Sequence, residues 1–365
     1  MNLKKKTEIK GITISELENY FISIGEKKFR ASQVFNWLYN NLVTSFEDMG
    51  TITKSLRKKL DEDFTLETLK LNTTQSSNAT RTKKFLYLTK DKNSIETVLI
   101  PEVKRNTLCI SSQVGCPLDC KFCATGLLGY KRNLTVGEIV DQYFLTASEL
   151  GKNVITNIVF MGMGEPLLNF QNTMDALAIF TSQYSNRISR RRITVSTSGI
   201  PDKIIALADS PYRVKLAISL HSPFDSVRSK IMPVNTKFPL KDVLEAARHY
   251  ARATDTRIMF EYTMLKGIND REEDIKALVK LCRSLPSKLN LIPFNSIAHM
   301  SPDGISKELE PTSYSDIKIF AQMLKDNGLI VIVRDTQGDD IAAACGQLAA
   351  QTEKQDMSLT STLTN

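Results

Sequence analysis

The chain has 365 residues, of which 42% are hydrophobic and 24% are charged, and its formal net charge is +8. This composition excludes an intrinsically disordered chain and supplies enough apolar surface for one large domain with a small second domain. No segment approaches the roughly 18 apolar residues of a membrane span, and the charged N-terminus lacks the apolar core of a secretory signal, so we expect a cytoplasmic protein.

Residues 1–75 are predicted to form a small N-terminal helical domain. Apolar residues recur at helical spacing around Leu17 and Phe21 and again around Val34 and Leu38. The polar positions between these stripes are mainly lysine and arginine. They form either a solvated basic surface or an electrostatic platform for RNA phosphates, and the positive net charge favours a polyanionic partner.

The remainder of the chain alternates between strand-like and helix-like segments. Residues 76–105 are predicted to be a β-rich linker, with strands at FLYLT and IETVLIP, and residues 106–348 alternate short β-rich runs with amphipathic segments. Thr135 and Glu138 have the capping-box spacing of a helix start. The alternation predicts an α/β fold on a parallel sheet, either an open doubly wound sheet or a partial barrel. The polar residues 349–365 are expected to form a disordered tail.

Cysteine spacing gives the strongest chemical signal. Cys116, Cys120 and Cys123 form a C-x₃-C-x₂-C pattern on a predicted loop after the run NTLCIS. Three soft thiolates suit an iron–sulfur cluster or zinc, and inert buried thiols are the third interpretation. A four-iron cluster normally takes four thiolates, so three would leave one iron open to another ligand. Cys282, in a helical segment, is predicted to pack in the core.

Five motifs, in order, resemble the RlmN/Cfr family of radical S-adenosylmethionine RNA adenine methyltransferases. They are Cys-Ile-Ser-Ser-Gln-Val-Gly-Cys (109–116), Phe-Cys-Ala-Thr-Gly (122–126), Met-Gly-Met-Gly-Glu-Pro (161–166), Ser-Leu-His (219–221) and Gly-Asp-Asp-Ile-Ala-Ala-Ala-Cys-Gly-Gln-Leu (338–348). The resemblance covers nearly the whole chain. It implies a partial, open TIM-like β/α barrel of the radical S-adenosylmethionine type, preceded by the small N-terminal helical domain.

The resemblance also implies two cofactors. Cys116, Cys120 and Cys123 would hold a [4Fe-4S] cluster, and the cluster's open iron would bind S-adenosylmethionine, two molecules of which are used per turnover. An electron donor such as flavodoxin would reduce the cluster. The residues that match the family's contacts to S-adenosylmethionine are Gly164, Glu165, Ser196, Ser219, Leu220, His221 and Asn295.

By the same resemblance, Cys345 carries the transferred methyl group. It would be methylated by one S-adenosylmethionine, and the radical from a second would remove a hydrogen atom from that methyl group. The methylene radical would then add to the adenine and form a covalent protein–RNA adduct. Cys109 would resolve this adduct by disulfide formation or proton transfer, and Glu96 matches a family position proposed as the proton acceptor. A radical route suits adenine carbon 2, which is neither nucleophilic nor acidic.

The motif containing Gly164 and Glu165 resembles the branch of the family that methylates carbon 2. That branch acts on large-subunit rRNA and on tRNA beside the anticodon, and we expect a monomer without membrane contact. A buried radical requires the base to leave its stack, and Arg190, Arg191 and Arg192 are candidates for the RNA surface. One alternative is a carbon-8 rRNA methyltransferase that confers antibiotic resistance. The other is a non-catalytic RNA-binding protein stabilised by zinc on the cysteine triplet and Cys109.

Overall fold

The computed structural model of the protein describes residues 6–151, 153–185 and 188–350. The helices are α1 (Ile14–Ser23), α2 (Arg30–Tyr39), α3 (Lys54–Asp63), α4 (Ala124–Leu127), α5 (Val136–Leu150), α6 (Phe170–Thr181), α7 (Pro201–Ala208), α8 (Asp225–Ile231), α9 (Leu240–Thr254), α10 (Glu272–Arg283), α11 (Gly304–Glu308) and α12 (Tyr314–Asp326). The strands are β1 (Thr7–Glu8), β2 (Phe64–Thr65), β3 (Leu69–Ser76), β4 (Lys83–Thr89), β5 (Ser94–Glu102), β6 (Arg105–Cys109), β7 (Gln113–Gly115), β8 (Tyr130–Asn133), β9 (Asn157–Phe160), β10 (Ile193–Thr197), β11 (Lys215–Ser219), β12 (Ile258–Met264), β13 (Ser287–Pro293) and β14 (Val331–Val333).

The N-terminal segment folds into α1, α2 and α3, whose apolar faces are buried. Helix α1 begins with a capping box: the Thr13 side chain accepts the Glu16 N–H, and the Glu16 carboxylate accepts the Thr13 N–H. Such a cap stabilises a helix by about 1 kcal/mol. Lys10 Nζ lies 2.8 Å from a carboxylate oxygen of Asp141 in α5. This ion pair, of which both side chains are buried, anchors the N-terminal helices to the main domain.

The main domain is built on a ten-stranded sheet in the order β14-β13-β12-β11-β10-β9-β6-β5-β4-β3. Strands β6 and β9 to β14 run parallel to one another. Strands β3, β4, β5 and β6 alternate in direction, so that each pairs antiparallel with the next. The sheet does not close, because β14 and β3 are its two edges. The expected partial, open β/α barrel is therefore confirmed. Residues 76–105, expected as a linker, supply β4 and β5 to this sheet.

Local sequence explains the helix and strand boundaries. The predicted Thr135–Glu138 capping box is present at the start of α5, and α12 ends at Asp326, before Asn327 and Gly328. The β-rich runs predicted after residue 106 each coincide with one parallel strand; they are NTLCIS, NIVFMGM, RITVSTS, VKLAISL, RIMFEYTML, LNLIPF and LIVIVR. Valine, isoleucine and phenylalanine fill these strands because their outward faces pack against the surrounding helices.

The inner face of the open barrel is less apolar than its outer face. Side chains alternate between the faces of a strand, and the inward positions include Lys215 and Ser219 on β11, Glu261 on β12, and Lys288 and Asn290 on β13. Closed β/α barrels fill this space with layers of branched apolar side chains. Here the polar side chains line cavities instead.

After β14, residues 335–350 cross the carboxyl ends of the parallel strands. The Thr125 hydroxyl donates to the Leu348 carbonyl at 2.6 Å, and the Gln347 amide donates to the Ser296 carbonyl at 3.0 Å. The expected disordered tail began too early at residue 349, because the Ala349 and Ala350 N–H groups both donate to Glu96; its remainder, from 351 onward, lies outside the described residues. Within the described ranges, no helix is both long enough and apolar enough to cross a membrane.

Candidate active site

A cavity with about 940 Å³ of empty space opens at the carboxyl ends of the parallel strands, and we call it the upper cavity. Ligands of parallel α/β sheets bind at this end. Its wall contains Cys116, Cys120, Cys123 and Cys345. The structure thus brings the three predicted metal ligands and the predicted methyl carrier to one cavity.

The loop that holds the cysteine triplet is fixed at both ends. Gly115 ends β7 with a φ of +75°, and a Cβ at this position would lie 1.9 Å from the Gly129 carbonyl oxygen. The Cys116 N–H donates to that same carbonyl at 2.9 Å. On the other side, α4 begins at Ala124, directly after Cys123. The antiparallel β7–β8 pair and α4 therefore hold the loop in place.

The three thiols are buried together. Burial raises the pKa of the Cys116 thiol to about 12, and the nearby Cys123 raises it as well. Burial, Cys123 and Cys116 raise the pKa of Cys120 well above its ordinary value. Bound metal reverses this effect, because metal ligation deprotonates a thiol.

Cys109 does not join the cysteine triplet in a shared four-thiol site. Among the residues that the structure describes, no three His, Cys, Asp or Glu side chains are arranged to hold a single metal ion. A cluster places iron and sulfide atoms between its thiolates, so its ligands lie farther apart than those of zinc. Cys109 does not line the upper cavity, and the four-cysteine zinc site is not assembled.

Gly164 and Glu165 form the predicted turn after β9. Gly164 has a φ of +98°, and a Cβ there would lie 2.5 Å from the Gln113 Cβ. The Glu165 N–H donates to Gln113 Oε1 at 2.8 Å. Its carboxylate accepts the N–H groups of Ser198 at 2.7 Å and Leu167 at 3.0 Å, and burial raises its pKa. These contacts fix a turn whose glycine lines the upper cavity.

The other predicted cofactor contacts fall into three groups. Ser196, Ser219 and His221 line the upper cavity. Leu220 is fully buried and lines neither this cavity nor its neighbour. Asn295 lies in the neighbouring cavity, where its side-chain amide donates to the Cys345 carbonyl at 3.0 Å.

His221 presents a neutral ring to the upper cavity. Its Nδ1 accepts the Thr263 N–H at 2.9 Å, which leaves Nε2–H as a donor. Burial lowers the pKa of His221 to about 3, and Arg228 lowers it as well. The centroid of the His221 ring lies 4.5 Å from that of Phe122, which directly precedes Cys123 in the sequence. His221 is thus suited to donate a hydrogen bond without carrying charge.

Glu261 supplies a buried acceptor for a ligand in the upper cavity. Its Oε2 accepts a hydrogen bond from the Asn290 amide at 2.6 Å. Its Oε1 is buried and has no hydrogen-bond partner. A buried carboxylate oxygen without a partner is costly. A ligand with hydroxyl or amine donors, such as S-adenosylmethionine, would satisfy it, so the residues present fit that cofactor.

A second, much smaller cavity adjoins the upper cavity, and we call it the side cavity. Cys109 and Arg334 line it together with Cys345. Burial raises the pKa of the Cys109 thiol to about 12, and the nearby Cys345 also raises it, whereas Arg334 lowers it. Cys345 lines both cavities and therefore lies between the cysteine triplet and Cys109.

Backbone contacts hold the segment that carries Cys345. The Ala124 N–H donates to the Gly346 carbonyl at 2.6 Å. The Ala344 N–H donates to Gln347 Oε1 at 3.1 Å, and the Gln347 amide donates to Asp339 at 2.7 Å. The position of Cys345 is thus tied directly to the loop of the cysteine triplet.

Glu96 faces the C-terminal segment. It is 2% exposed and lines neither the upper nor the side cavity. Its Oε1 lies 3.1 Å from Lys84 Nζ, and its Oε2 accepts the N–H groups of Ala349 at 2.9 Å and Ala350 at 3.0 Å. Both carboxylate oxygens are therefore engaged in this structure.

Sequence reasoning missed several residues of the site. Arg228 is fully buried and donates to the Leu220, Ser219 and Ser198 carbonyls at 3.1, 3.0 and 2.6 Å. It therefore joins the carboxyl ends of β10 and β11. Glu261 was detectable as a charged residue inside the apolar run RIMFEYTML, and Arg334 as the last residue of LIVIVR. No local pattern marks Arg228.

The remaining predicted residues lie away from these cavities. Arg190, Arg191 and Arg192 form a short 3₁₀ turn immediately before β10, at the opposite end of the strands. Cys282 is buried in the hydrophobic core, as predicted. The predicted basic surface on α2 and α3 belongs to the N-terminal helices, where α1 packs against α2.

Comparison with known families finds two matches in this chain. Residues 7–66 match the ribosomal RNA large subunit methyltransferase N-terminal domain. Residues 110–281 match the radical SAM superfamily, where SAM is S-adenosylmethionine. The first match covers the N-terminal helices, and the second covers the cysteine triplet and the parallel strands β9 to β12.

Similar proteins extend along almost the whole chain. A dual-specificity RNA methyltransferase RlmN from Alcanivorax borkumensis is 41% identical over 360 residues, covering 96% of this chain and 92% of the relative. A probable dual-specificity RNA methyltransferase RlmN from Flavobacterium johnsoniae is 43% identical over 352 residues, with coverage of 96% and 98%. A crystal structure of a radical SAM methyltransferase from Sphaerobacter thermophilus is 38% identical, covers 94% of this chain and 100% of its own, and has a TM-score of 0.88.

Proposed function

The chain belongs to the RlmN family of radical SAM RNA methyltransferases, and we propose that it methylates carbon 2 of adenine in large-subunit rRNA and in tRNA beside the anticodon. The observation that carries this proposal is the position of Cys345. It lines the upper cavity with Cys116, Cys120 and Cys123, and it lines the side cavity with Cys109. A methyl carrier between a radical source and a resolving thiol needs this arrangement.

The upper cavity is the proposed cofactor site. Cys116, Cys120 and Cys123 would hold the [4Fe-4S] cluster, and the turn at Gly164 and Glu165 would hold S-adenosylmethionine beside it. Ser196, Ser219, His221 and Asn295 are the further proposed contacts, and Leu220 would act through its backbone. When bound, the cofactors supply a methyl group and a 5′-deoxyadenosyl radical, at two S-adenosylmethionine molecules per turnover.

Cys345 is the residue on which the proposed reaction proceeds. Its sulfur accepts a methyl group, and loss of one hydrogen atom from that group leaves a carbon radical. This carbon forms a bond to carbon 2 of the adenine, which joins the protein to the RNA, and the adduct radical then gives up the carbon-2 proton and one electron, which the oxidised cluster would accept. Cys109 then releases the RNA. Its thiolate attacks the Cys345 sulfur, so that a disulfide forms as the sulfur–carbon bond breaks and the carbon left on the adenine takes up a proton; in the alternative, Cys109 acts by proton transfer.

Glu96 is the proposed acceptor of the carbon-2 proton. It lies on the same face of β5 as Val98 and Ile100, which line the side cavity. Because its carboxylate is bonded to the Ala349 and Ala350 amides, it would have to exchange these bonds for the adenine. This exchange requires only the end of the C-terminal segment, at Ala349 and Ala350, to move when RNA is bound.

The proposed partners follow from the reaction. We propose that an electron donor such as flavodoxin reduces the cluster and that the enzyme acts as a cytoplasmic monomer. The helical domain formed by residues 1–75 would contact the RNA through its lysines and arginines. Residues 106–348 would form the catalytic domain.

Nucleoside mass spectrometry tests the proposed reaction. RNA is treated with anaerobically reconstituted protein, S-adenosylmethionine and a reductant, and the expected product is 2-methyladenosine. A peak of 8-methyladenosine would move the protein to the carbon-8 branch. An absence of methylated adenine, with a full and reducible cluster, would reject the proposal.

A further inference from the structure

A third cavity lies at the amino ends of the parallel strands, opposite the upper cavity, and we call it the floor cavity. It has about 1670 Å³ of space open to solvent. The first residue of β6, β9 and β11 lines it, namely Arg105, Asn157 and Lys215, and Lys288 lines it near the start of β13. The floor cavity is therefore the mouth of the open barrel.

The floor cavity adjoins both cavities of the site, and the same side chains separate them. Met161, Glu261 and Arg334 line the floor cavity and the upper cavity. Met161 and Arg334 also line the side cavity, together with Val159. A group that passes Met161 and Arg334 from the floor reaches the wall that contains Cys345.

The opposite route is covered. Residues 335–350 cross the carboxyl ends of the strands. There the Ala124 N–H donates to the Gly346 carbonyl, and the Asn295 side-chain amide donates to the Cys345 carbonyl. Elsewhere on the same segment, Glu96 accepts the N–H groups of Ala349 and Ala350, and Lys84 donates to the Ala342 carbonyl. A base that approached from that end would have to displace this network.

Basic side chains outnumber acidic ones at the mouth, because Lys104, Arg105, Lys215, Lys288 and Arg334 line the floor cavity with Glu102, Glu261 and Asp335. Lys215 and Lys288 make no ion pair with any residue in the described ranges, whereas Arg105 is paired with Glu102 through contacts of 2.5 and 2.9 Å. Burial, Lys288 and Arg105 lower the pKa of Lys215, so these cations repel one another. Arg190, Arg191 and Arg192 precede β10 at the same end of the sheet. Phosphates would neutralise such a cluster.

We propose that the RNA substrate docks at the floor cavity, with Lys215 and Lys288 contacting the phosphates that flank the adenine while the flipped base passes Met161 and Arg334 toward Cys345. This inference rests on the proposed function, because it assumes that an RNA adenine must reach Cys345. Base flipping into a pocket is how enzymes reach an atom that stacking protects.

The test compares two double variants at constant ionic strength. In Lys215→Met/Lys288→Met, the apolar stems of the side chains are kept and the charges are lost. The matched control is Lys241→Met/Lys280→Met, which removes two exposed lysines from α9 and α10 on the outer surface. The readouts are the RNA dissociation constant, its salt dependence, and methylation of Cys345 in the absence of RNA.

We expect the floor variant to bind RNA roughly tenfold or more weakly, with a salt slope lower by about 1 for each lysine removed. Its RNA-independent methylation of Cys345 should match that of the unsubstituted protein, which shows an intact cofactor site. The control should bind RNA normally. Charge reversal, in Lys215→Glu/Lys288→Glu, should weaken binding further.

Unchanged RNA affinity in the floor variant, or an equal loss in the control, would overturn the docking proposal and leave the reaction untouched. Slower reduction of the cluster with unchanged RNA affinity would also overturn it, and would assign the cations to an acidic electron donor. Unsubstituted protein that binds RNA through these lysines but forms no 2-methyladenosine would instead reject the proposed reaction.

Discussion

Cys345 and Cys109 illustrate how position gives a common residue type a specific task. Both thiols line the side cavity, but only Cys345 also lines the upper cavity. We expect Cys345→Ala to retain its iron content and S-adenosylmethionine binding while forming no methylated adenine.

Cys109→Ala should accumulate a protein–RNA adduct, visible as a shifted band on denaturing gels. Cys282→Ala is the matched control for both variants, because Cys282 lies in the core, outside both cavities. Free methylated RNA from Cys109→Ala would contradict the resolving role of Cys109.

The buried ring of His221 makes the stability of the fold depend on pH. Its pKa is lowered to about 3 by burial and by Arg228, against an ordinary value of about 6.5. The folded state therefore binds fewer protons than the unfolded state between these values, so the stability it contributes is full above pH 6.5 and is lost as the pH falls toward 3. We expect a slope of up to about 1.4 kcal/mol per pH unit in the cofactor-free protein. Urea titrations should show a smaller slope in His221→Gln, and identical slopes would exclude this residue as the cause.

At the scale of single elements, the turn after β9 depends on one glycine. Gly164 has a φ of +98°, and a Cβ would lie 2.5 Å from the Gln113 Cβ, so Gly164→Ala carries both backbone strain and a clash. We expect it to weaken S-adenosylmethionine binding at least tenfold and to destabilise the fold by about 1–3 kcal/mol. Gly267→Ala is the matched control, since Gly267 has a φ of +71° with nothing within 4 Å of the added Cβ. Calorimetric binding that is equal in the two variants would contradict a role for the turn.

At the scale of the whole molecule, Glu96 and Lys84 join the antiparallel strands to the C-terminal segment. Lys84→Met leaves the buried Glu96 carboxylate without its cation, which costs about 3–5 kcal/mol when a buried pair is broken. We expect Lys84→Met to lower the unfolding free energy and to slow RNA-independent methylation of Cys345, because the segment bearing Cys345 is less well held. The double variant Lys84→Met/Glu96→Gln should recover much of the stability, since the amide still accepts the Ala349 and Ala350 N–H groups. Additive losses in the denaturant midpoint would show that the two residues act separately.

The sequence alone determined the local features of this protein. The capping box of α5, the seven parallel strands and the cysteine spacing are set by residues close together in the chain, so pattern and propensity were sufficient to predict them. The family motifs likewise predicted the partial barrel, which the structure and the relatives confirm. Burial of Cys282 followed from its residue type, since free cysteine is among the most often buried side chains.

Only the tertiary structure decided the features that join distant residues. Glu96 contacts Ala349 and Ala350, Arg228 joins three strand-end carbonyls, and Lys215 and Lys288 line the same mouth of the barrel. None of these contacts leaves a periodic signal, because each depends on how far the sheet curves and on which strands become neighbours. The placement of Cys345 between two cavities has the same origin: its segment follows the last strand of the open sheet, and only the closing of that segment over the strand ends brings its sulfur to the site.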